Sequence, residues 1–321
     1  MNQPNIFYNK DCIAGAQDHI EDNSVDLIIT DPPYGIEGDK FDRHYSRKEE
    51  YVVEGYVEVP ADEYEDFSRQ WIAQAERILK PGGSLYIVSG YTNLFSILKA
   101  LKSTDLEEIN HIIWKYNFGV YTTRKYVSSH YHILYYVKPG ADYTFNTYCR
   151  YGSLEKDHKG GSLNYQDRED VWVINKEFKK RQKKHINQLP AALLSKMIRY
   201  SSHEGDLVCD LFLGSFSTAR VAVGLNRRAT GFEISRNAYN HGLTVIENVE
   251  PGYLLSEVKQ PEKQKLENQG KSWSGEEKQE VFERYKVLYQ KLGTKRDSIK
   301  ILSEEFGRGR FSLRKIIGEM E

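Results

Sequence analysis

The chain has 321 residues, enough for one large domain or two smaller ones around a sizeable core. Lys and Arg number 45 against 46 Asp and Glu, which excludes a uniformly basic nucleic-acid coat and leaves local basic patches as the means of meeting such a partner. Three scattered cysteines (Cys12, Cys149, Cys209) exclude a disulfide scaffold and paired C-x-x-C ligand spacing, and neither the polar start MNQPNIFYNK nor any run of about 18 apolar residues predicts secretion or membrane insertion. The expectation is therefore a reduced cytoplasmic protein with no metal site.

The first informative stretch is SVDLIITDPPYGI, residues 24–36. Val25–Thr30 is short, apolar and β-branched, which predicts a buried strand. Pro32 and Pro33 then remove two backbone donors and fix φ near about −65°, so the strand must stop. Asp31-Pro32-Pro33-Tyr34 reads either as an ordinary proline turn or as a rigid mount for an acid and an aromatic ring. Residues 36–60 are polar and tyrosine-containing, and predict a long active-site loop. Residues 62–80 have helical spacing through Phe67, Trp71, Ala75 and Ile78, with Pro81-Gly82-Gly83 as the stop. A strand at 84–89, a helix at 92–103 and strands at 109–114 and 132–137 follow, an alternation that favours an α/β sheet covered by helices. The pattern breaks down from about 139 to the basic run KEFKKRQKK at 176–184.

A second unit begins with a helix at 189–202. Residues 205–235, GDLVCDLFLGSFSTARVAVGLNRRATGFEIS, then read as strand, glycine turn, helix and strand. Glu233 closes the second strand, 19 residues after Gly214, a spacing at which an acid accepts hydrogen bonds from ribose hydroxyls. Gly214 stands alone in GSFSTA, which leaves little room for a diphosphate but suits S-adenosylmethionine, a nucleoside without phosphate. An ordinary turn with an incidental Glu is the alternative. Both constellations fall at the carboxyl ends of predicted parallel strands, where open α/β sheets bind ligands.

With these motifs the sequence resembles the amino-methyltransferases of DNA, in the permuted β group whose D-P-P-Y motif precedes the cofactor motif. The matching residues are Asp11-Cys12, residues 23–34, His185-Ile186-Asn187-Gln188-Leu189-Pro190 and Asp210-Leu211-Phe212-Leu213-Gly214-Ser215, in family order across about residues 5–250. The resemblance implies a Rossmann-like α/β fold, a mostly parallel seven-stranded sheet with helices on both faces, plus a small helical C-terminal region. It implies a catalytic domain from 1–120 and 185–250, a target-recognition region at 121–184, a linker at 251–278 and a helical tail at 279–321. Three residues depart from the family: Phe216 replaces the second glycine, Leu211 a proline and Leu189 a lysine. Because Phe avoids positive φ, the turn is expected to be reshaped or the cofactor pocket narrowed.

The implied reaction is methylation of the exocyclic N6 of adenine in duplex DNA by base flipping and direct displacement. Asp31 and the carbonyl of Pro32 would each accept an amine N–H, Pro33 would keep that carbonyl fixed, and Tyr34 would stack on the base. The implied S-adenosylmethionine site draws on Asp11 and Cys12, with Asp11 near the adenine ring, and on His185 and Gln188. It continues through Phe212, Gly214, Ser215, Phe216, Ser217 and Thr218 to Glu233, where the hydroxyls could instead cap the following helix.

The partner is double-stranded DNA, a homodimer is left open, and a cognate restriction endonuclease need not be bound; a nucleoid-associated cytoplasmic location follows. Phosphate contacts are expected from Arg124, Lys125, Lys179, Lys180 and Arg181. In 296–320 a helix, a Gly-containing turn and a basic helix have helix-turn-helix spacing, adding Arg308, Arg310 and Arg314; a hairpin packed on the catalytic domain or a partner is the alternative. Cytosine-N4, RNA or another amine, and a catalytically silent DNA-binding homologue are the alternatives for function.

Overall fold

Eight strands form one sheet: β1 (Ile6–Tyr8), β2 (Val25–Thr30), β3 (Leu79–Ser89), β4 (Glu107–Lys115), β5 (His130–Val137), β6 (Val171–Val173), β7 (Leu207–Asp210) and β8 (Arg228–Phe232). The computed structural model in which they are seen describes residues 5–33, 59–117, 119, 121, 123–176, 188–262, 267–268 and 271–320. The spatial order is β1-β8-β7-β2-β3-β5-β4-β6. The first five are mutually parallel, β5 runs antiparallel to both β3 and β4, and β6 is parallel to β4. The eighth strand, one more than the resemblance implies, is the three-residue β6, too short for any periodicity to announce.

The inner strands are apolar along their length because both faces are covered. Leu27 and Ile29 of β2 face a core layer shared with Leu193, Met197 and Ile198 of α5 (Ala191–Ser201) and Val221 of α6 (Ser217–Gly224). Val25 and Ile28 face the opposite layer, with Ala16 of α1 (Cys12–His19), Trp71 and Ile72 of α2 (Tyr64–Ile78) and Ile97 of α3 (Tyr91–Leu101). A short helix α4 (Leu163–Asp167) and a longer one, α7 (Arg236–Glu247), complete the larger unit.

Three expectations change. Pro81-Gly82-Gly83 does not stop a helix: α2 ends at Ile78, and β3 starts at Leu79 and passes through the glycines. Gly82 has φ 78° and its N–H donates to the Lys138 carbonyl at 2.8 Å, a bulge that only glycine accommodates easily. Nor is 121–184 separate from the catalytic sheet, since β5 and β6 lie within it and pair there. The polar stretch between them is tied to α5: Asp167 accepts from Tyr200 Oη at 2.7 Å and Arg150 Nε at 3.0 Å, and Lys196 Nζ lies 3.6 Å from its other oxygen. Finally, 251–278 is not linker throughout. Tyr253–Leu255 forms a 3-10 turn that buries Leu254 against Gly224, and a helix already begins at Gly275. Apart from residues 59–60, the loop expected at 36–60 lies outside the described residues.

The chain divides into units 1–261 and 262–321. The smaller contains α8 (Gly275–Leu292), α9 (Lys295–Glu305) and α10 (Arg310–Met320), which share a core of Val281, Tyr285, Leu288, Ile299, Leu302, Leu313 and Ile317. Among the described residues no helix is long and apolar enough to cross a membrane.

Candidate active site

Strands β2 and β7 are neighbours, with Leu27 opposite Val208 and Ile28 opposite Cys209. From β2 the chain passes through α2 to β3 on one side; from β7 it passes through α6 to β8 on the other. The winding therefore reverses between β2 and β7, and such a reversal leaves a crevice outside the carboxyl ends of the strands. Asp31-Pro32-Pro33 leaves the end of β2 there, and the glycine turn leaves the end of β7.

The two turns are joined by a side-chain bond that neither motif announces. Thr30 Oγ1 donates to Asp210 Oδ1 at 3.0 Å, and the same oxygen accepts from Phe212 N at 3.1 Å. Burial pushes the Asp210 carboxyl up to about 6, against the opposing pull of hydrogen bonds from the Thr218 hydroxyl, Phe212 N–H and Thr30. On the far side of the proline turn, Tyr64 Oη donates to the Pro33 carbonyl at 2.9 Å. Pro32 is buried, while Asp31 and Pro33 are half-buried. Asp31 and Pro32 are thus held between an anchor on β7 and an anchor on α2. Tyr34 and His185 lie outside the described residues.

Past β7 the backbone turns through two left-handed residues, Gly214 at φ 50° and Phe216 at φ 59°. The expectation that Phe216 would reshape this turn or narrow a pocket is overturned. Phe216 adopts the left-handed geometry, and its ring is fully buried beside Phe7, with centroids 5.1 Å apart, and Tyr239, at 6.2 Å. The ring fits because position 242 on α7 is glycine; any Cβ there would overlap it. A left-handed residue with a Cβ costs about 1–2 kcal/mol, and burying a phenylalanine ring contributes about 1.5–3 kcal/mol. The other family departures, Leu211 and Leu189, are also buried in the core.

Glu233 closes the turn from the end of β8. Its Oε2 accepts from Gly214 N at 2.8 Å and its Oε1 from Ser235 N at 2.7 Å. Burial raises its pKa, and these two backbone donors oppose the shift. A carboxylate offers about four acceptor positions, so this arrangement leaves acceptor capacity for ligand hydroxyls. Asn9 Nδ2 fixes the backbone beside it, donating to the carbonyls of Glu233 at 2.7 Å and Ile234 at 3.1 Å. Phe212 is set edge-on to Trp71 of α2, centroids 5.5 Å apart.

Not every expected cofactor residue faces this crevice. The Cys12 side chain is in the core, where burial, then the charge of Asp11, pushes the thiol well above its usual range. Its side chain, like the Phe216 ring, is packed in the core. Asp11 caps α1, its Oδ1 accepting from Ile13 N at 2.9 Å and Ala14 N at 3.0 Å. Ser217 and Thr218 are buried, Ser215 Oγ lies 3.2 Å from Ser217 Oγ, and neither serine caps α6. Gln188 is exposed.

The expected DNA contacts also divide. Arg124 and Lys125 are exposed in the loop joining β4 to β5; since β4 runs in the direction of β2, this loop leaves the same edge of the sheet as Asp31. Arg308 is corrected: it is 4% exposed, pairs with Glu277 at 2.6 Å, donates to the carbonyls of Asn268, Lys271 and Ser272, and lies 4.3 Å over the Trp273 ring. It is a structural strut. Arg314 is exposed and Arg310 half-buried, while Lys179, Lys180 and Arg181 lie outside the described residues.

Sequence reasoning missed Thr30, Tyr64 and Asn9 as parts of this site. Their partners are 180, 31 and 224 positions away, so no local spacing marks them.

A family model described as DNA methylase matches residues 25–244, which contain both turns. The chain is 33% identical over 225 residues to Type II methyltransferase M.HpaI of Haemophilus parainfluenzae, covering 69% of this chain and 68% of that one. It is 30% identical over 289 residues to DNA adenine methyltransferase YhdJ of Escherichia coli K12, covering 84% and 92%. Among solved structures, a DNA modification methylase of Thermus thermophilus complexed with S-adenosyl-L-methionine, itself described as putative, aligns with TM-score 0.55 at 21% identity, over 77% of this chain and 95% of that one. PvuII DNA methyltransferase, cytosine-N4-specific, aligns with TM-score 0.56 at 16% identity, over 80% and 92%; at such identities these two speak for the fold alone. Sheet order, the paired turns and a family match spanning both of them lead to one assignment: the chain belongs to the DNA methylase family.

Proposed function

We propose that this chain methylates the exocyclic N6 of adenine in duplex DNA, with S-adenosylmethionine as methyl donor, and that it belongs to the β group, in which the Asp31 motif precedes the cofactor motif. The observation that carries the reading is the pair of anchors, Thr30 to Asp210 and Tyr64 to Pro33, that hold Asp31 and Pro32 beside the glycine turn. An exocyclic amine is a poor nucleophile because its lone pair is delocalised into the ring. Asp31 and the Pro32 carbonyl, each accepting one N–H, favour a tetrahedral nitrogen with an outward lone pair, and a turn fixed in advance needs no reorganisation to do so. Pro33 keeps that carbonyl in place, Tyr34 stacks on the base, and the base is flipped out of the duplex to reach them.

The glycine turn suits the donor. At Gly214 the nearest atom to a Cβ would be the Phe212 carbonyl oxygen at 3.9 Å, so the backbone opens onto free space. There Glu233 would hold the ribose hydroxyls, and the Phe212–Gly214 backbone would line the methionine part, with Ser215 and Asp11 at its margins and Gln188 and His185 contributing from the segment before α5. When bound, S-adenosylmethionine supplies a methyl group on a sulfonium centre. Arg124 and Lys125 would meet phosphates beside the flipped base. No endonuclease is required.

Adenine is favoured over cytosine by Asp at position 31, where the cytosine enzymes usually carry Ser, and by the 30% identity to an adenine enzyme. The test is incubation of the purified chain with labelled S-adenosylmethionine and unmethylated genomic DNA, followed by nucleoside analysis. N6-methyladenine is expected. 4-Methylcytosine alone would overturn the choice of base, and no transfer together with no cofactor binding would overturn the enzyme.

A further inference from the structure

The helical unit 262–321 lies wholly outside the segment matched by the family model, 25–244, and has a core of its own. Its last two helices are joined by four residues, Phe306-Gly307-Arg308-Gly309, with Gly307 at φ 59°. A turn of three or four residues containing glycine is the connection of a helix-turn-helix, whose second helix enters the major groove. Arg308 builds this turn. Its guanidinium binds the carbonyls of Asn268, Lys271 and Ser272 and the carboxylate of Glu277, and the Arg308 carbonyl accepts from Ser303 Oγ at 2.7 Å. The basic run therefore separates into one arginine that shapes the motif and others that face outward.

Those others are ordered on α10. Leu313, Ile316 and Ile317 are buried, which turns Phe311, Arg314, Lys315 and Gly318 to the exterior as one i, i+3, i+4, i+7 stripe. Phe311, in the first turn, is 83% exposed, so its ring is available on the same face as the two cations. Gly318 is open on its outer side, with nothing within 4 Å of where a Cβ would stand, so backbone could approach a groove wall. The single acid of α10, Glu319, follows Lys315 by four residues and has its carboxylate 3.9 Å from Lys278. Two exposed cations that form no ion pair among the described residues, an apolar ring able to meet a thymine methyl, and a glycine that adds no side chain complement a duplex: negative backbone, methyl-bearing groove floor.

We propose that residues 262–321 are a second duplex-DNA reader, with Arg314 and Lys315 on phosphates and Phe311 on base edges, separate from the contacts made at the catalytic edge. The proposal rests on the DNA-methylase reading only in taking DNA as the common partner. It also divides target recognition, so that the site methylated is chosen by two attachments, one of them outside the catalytic unit.

The full chain would be titrated, without S-adenosylmethionine, against a fluorescent mixed-sequence duplex of about 30 base pairs at several salt concentrations. Replacing Arg314 and Lys315 together by Ala is expected to weaken binding roughly tenfold and to shrink the slope of log affinity against log salt by about 2. Lys291→Ala, an exposed lysine of α8 off the stripe, should alter neither. Phe311→Ala should keep the salt slope but narrow the preference for thymine-containing over pure G·C duplexes. With DNA as the varied substrate, the double variant should raise the KM for DNA. Unchanged affinity and slope in the double variant would overturn the proposal. So would an equal loss per charge at Lys291, or loss of self-association by sedimentation with DNA binding intact. Wild-type methyl transfer and cofactor calorimetry report separately on the adenine reading: should they fail, the salt slope still decides this one.

Discussion

The two turns that leave β2 and β7 reach the same rigidity by opposite means. After β2, two proline rings restrict the backbone and two long-range hydrogen bonds, from Thr30 and Tyr64, fix where it points. After β7 the backbone is placed in left-handed geometry at Gly214 and Phe216 and is closed by a carboxylate, Glu233. Under the proposed function, the first turn would present side-chain and carbonyl acceptors to a substrate, and the second would present backbone and open space to a cofactor. The difference teaches that a side chain's absence, as at Gly214, and a side chain's burial, as at Phe216, are equivalent ways to clear a turn.

The sharpest way to separate the two turns is Asp31→Ala, which should lower the transfer rate by about 10³-fold or more, as loss of one preorganised polar partner does in other enzymes. Cofactor affinity measured by calorimetry should stay within about twofold of the parent, the change expected of a residue that touches only the amine. A large loss of affinity would mean that Asp31 serves the second turn instead. Phe216→Gly should do the reverse of what its family position implies. It relieves left-handed strain of about 1–2 kcal/mol but empties a ring-sized cavity costing about 3–5 kcal/mol. Chemical denaturation should show a net loss of about 2–3 kcal/mol, with cofactor affinity of the folded fraction retained.

Asp210, which joins the turns, gives the comparison a pH signature. Its folded pKa of about 6 lies above the ordinary 3.8, so the native state holds its proton over a range where the unfolded chain has lost it. Its contribution to stability is therefore fully present below about pH 4 and is lost as pH rises through about 6, by at most about 3 kcal/mol at 1.36 kcal/mol per unit. The stability of wild type minus that of Asp210→Asn, from denaturant midpoints, should fall across this window; a flat difference would mean that the Thr30, Phe212 and Thr218 donors cancel the effect of burial, and a rising one that they outweigh it. The smallest effect is expected from Tyr64→Phe, which leaves the ring and removes one hydrogen bond to Pro33. Stability should drop by about 1 kcal/mol and turnover by roughly tenfold, with KM for the cofactor unchanged.

Much of this fold was legible because it is written in local runs. Val25–Thr30 and the segment Leu207–Phe232 declare strands, a turn and a helix through apolar runs and glycine, and the spacing from Gly214 to Glu233 singles out the acid that closes the turn. The three-residue strands β1 and β6 were not legible, since so few residues show no period, and their pairing comes from neighbours far away in sequence. Helix α7 was missed because Arg236–Glu247 is mixed in polarity and buries little beyond Gly242 completely. Arg308 was misread for a related reason. A basic run states charge but not direction, and only the packing of Trp273 and Glu277 around it shows that this arginine points inward.

The fit of Phe216 against Gly242 also reaches beyond this one molecule. One position holds a ring where the turn of the resembled family has glycine, and the other is a glycine whose missing side chain leaves room for it. Volume at 216 and volume at 242 are thus a single quantity shared between a loop and a helix. Along the descent of this family the two are expected to change together, so that a relative regaining glycine in the turn carries a side chain on the helix. Either change made alone would pass through a chain that is overfilled or hollow at the base of the turn after β7.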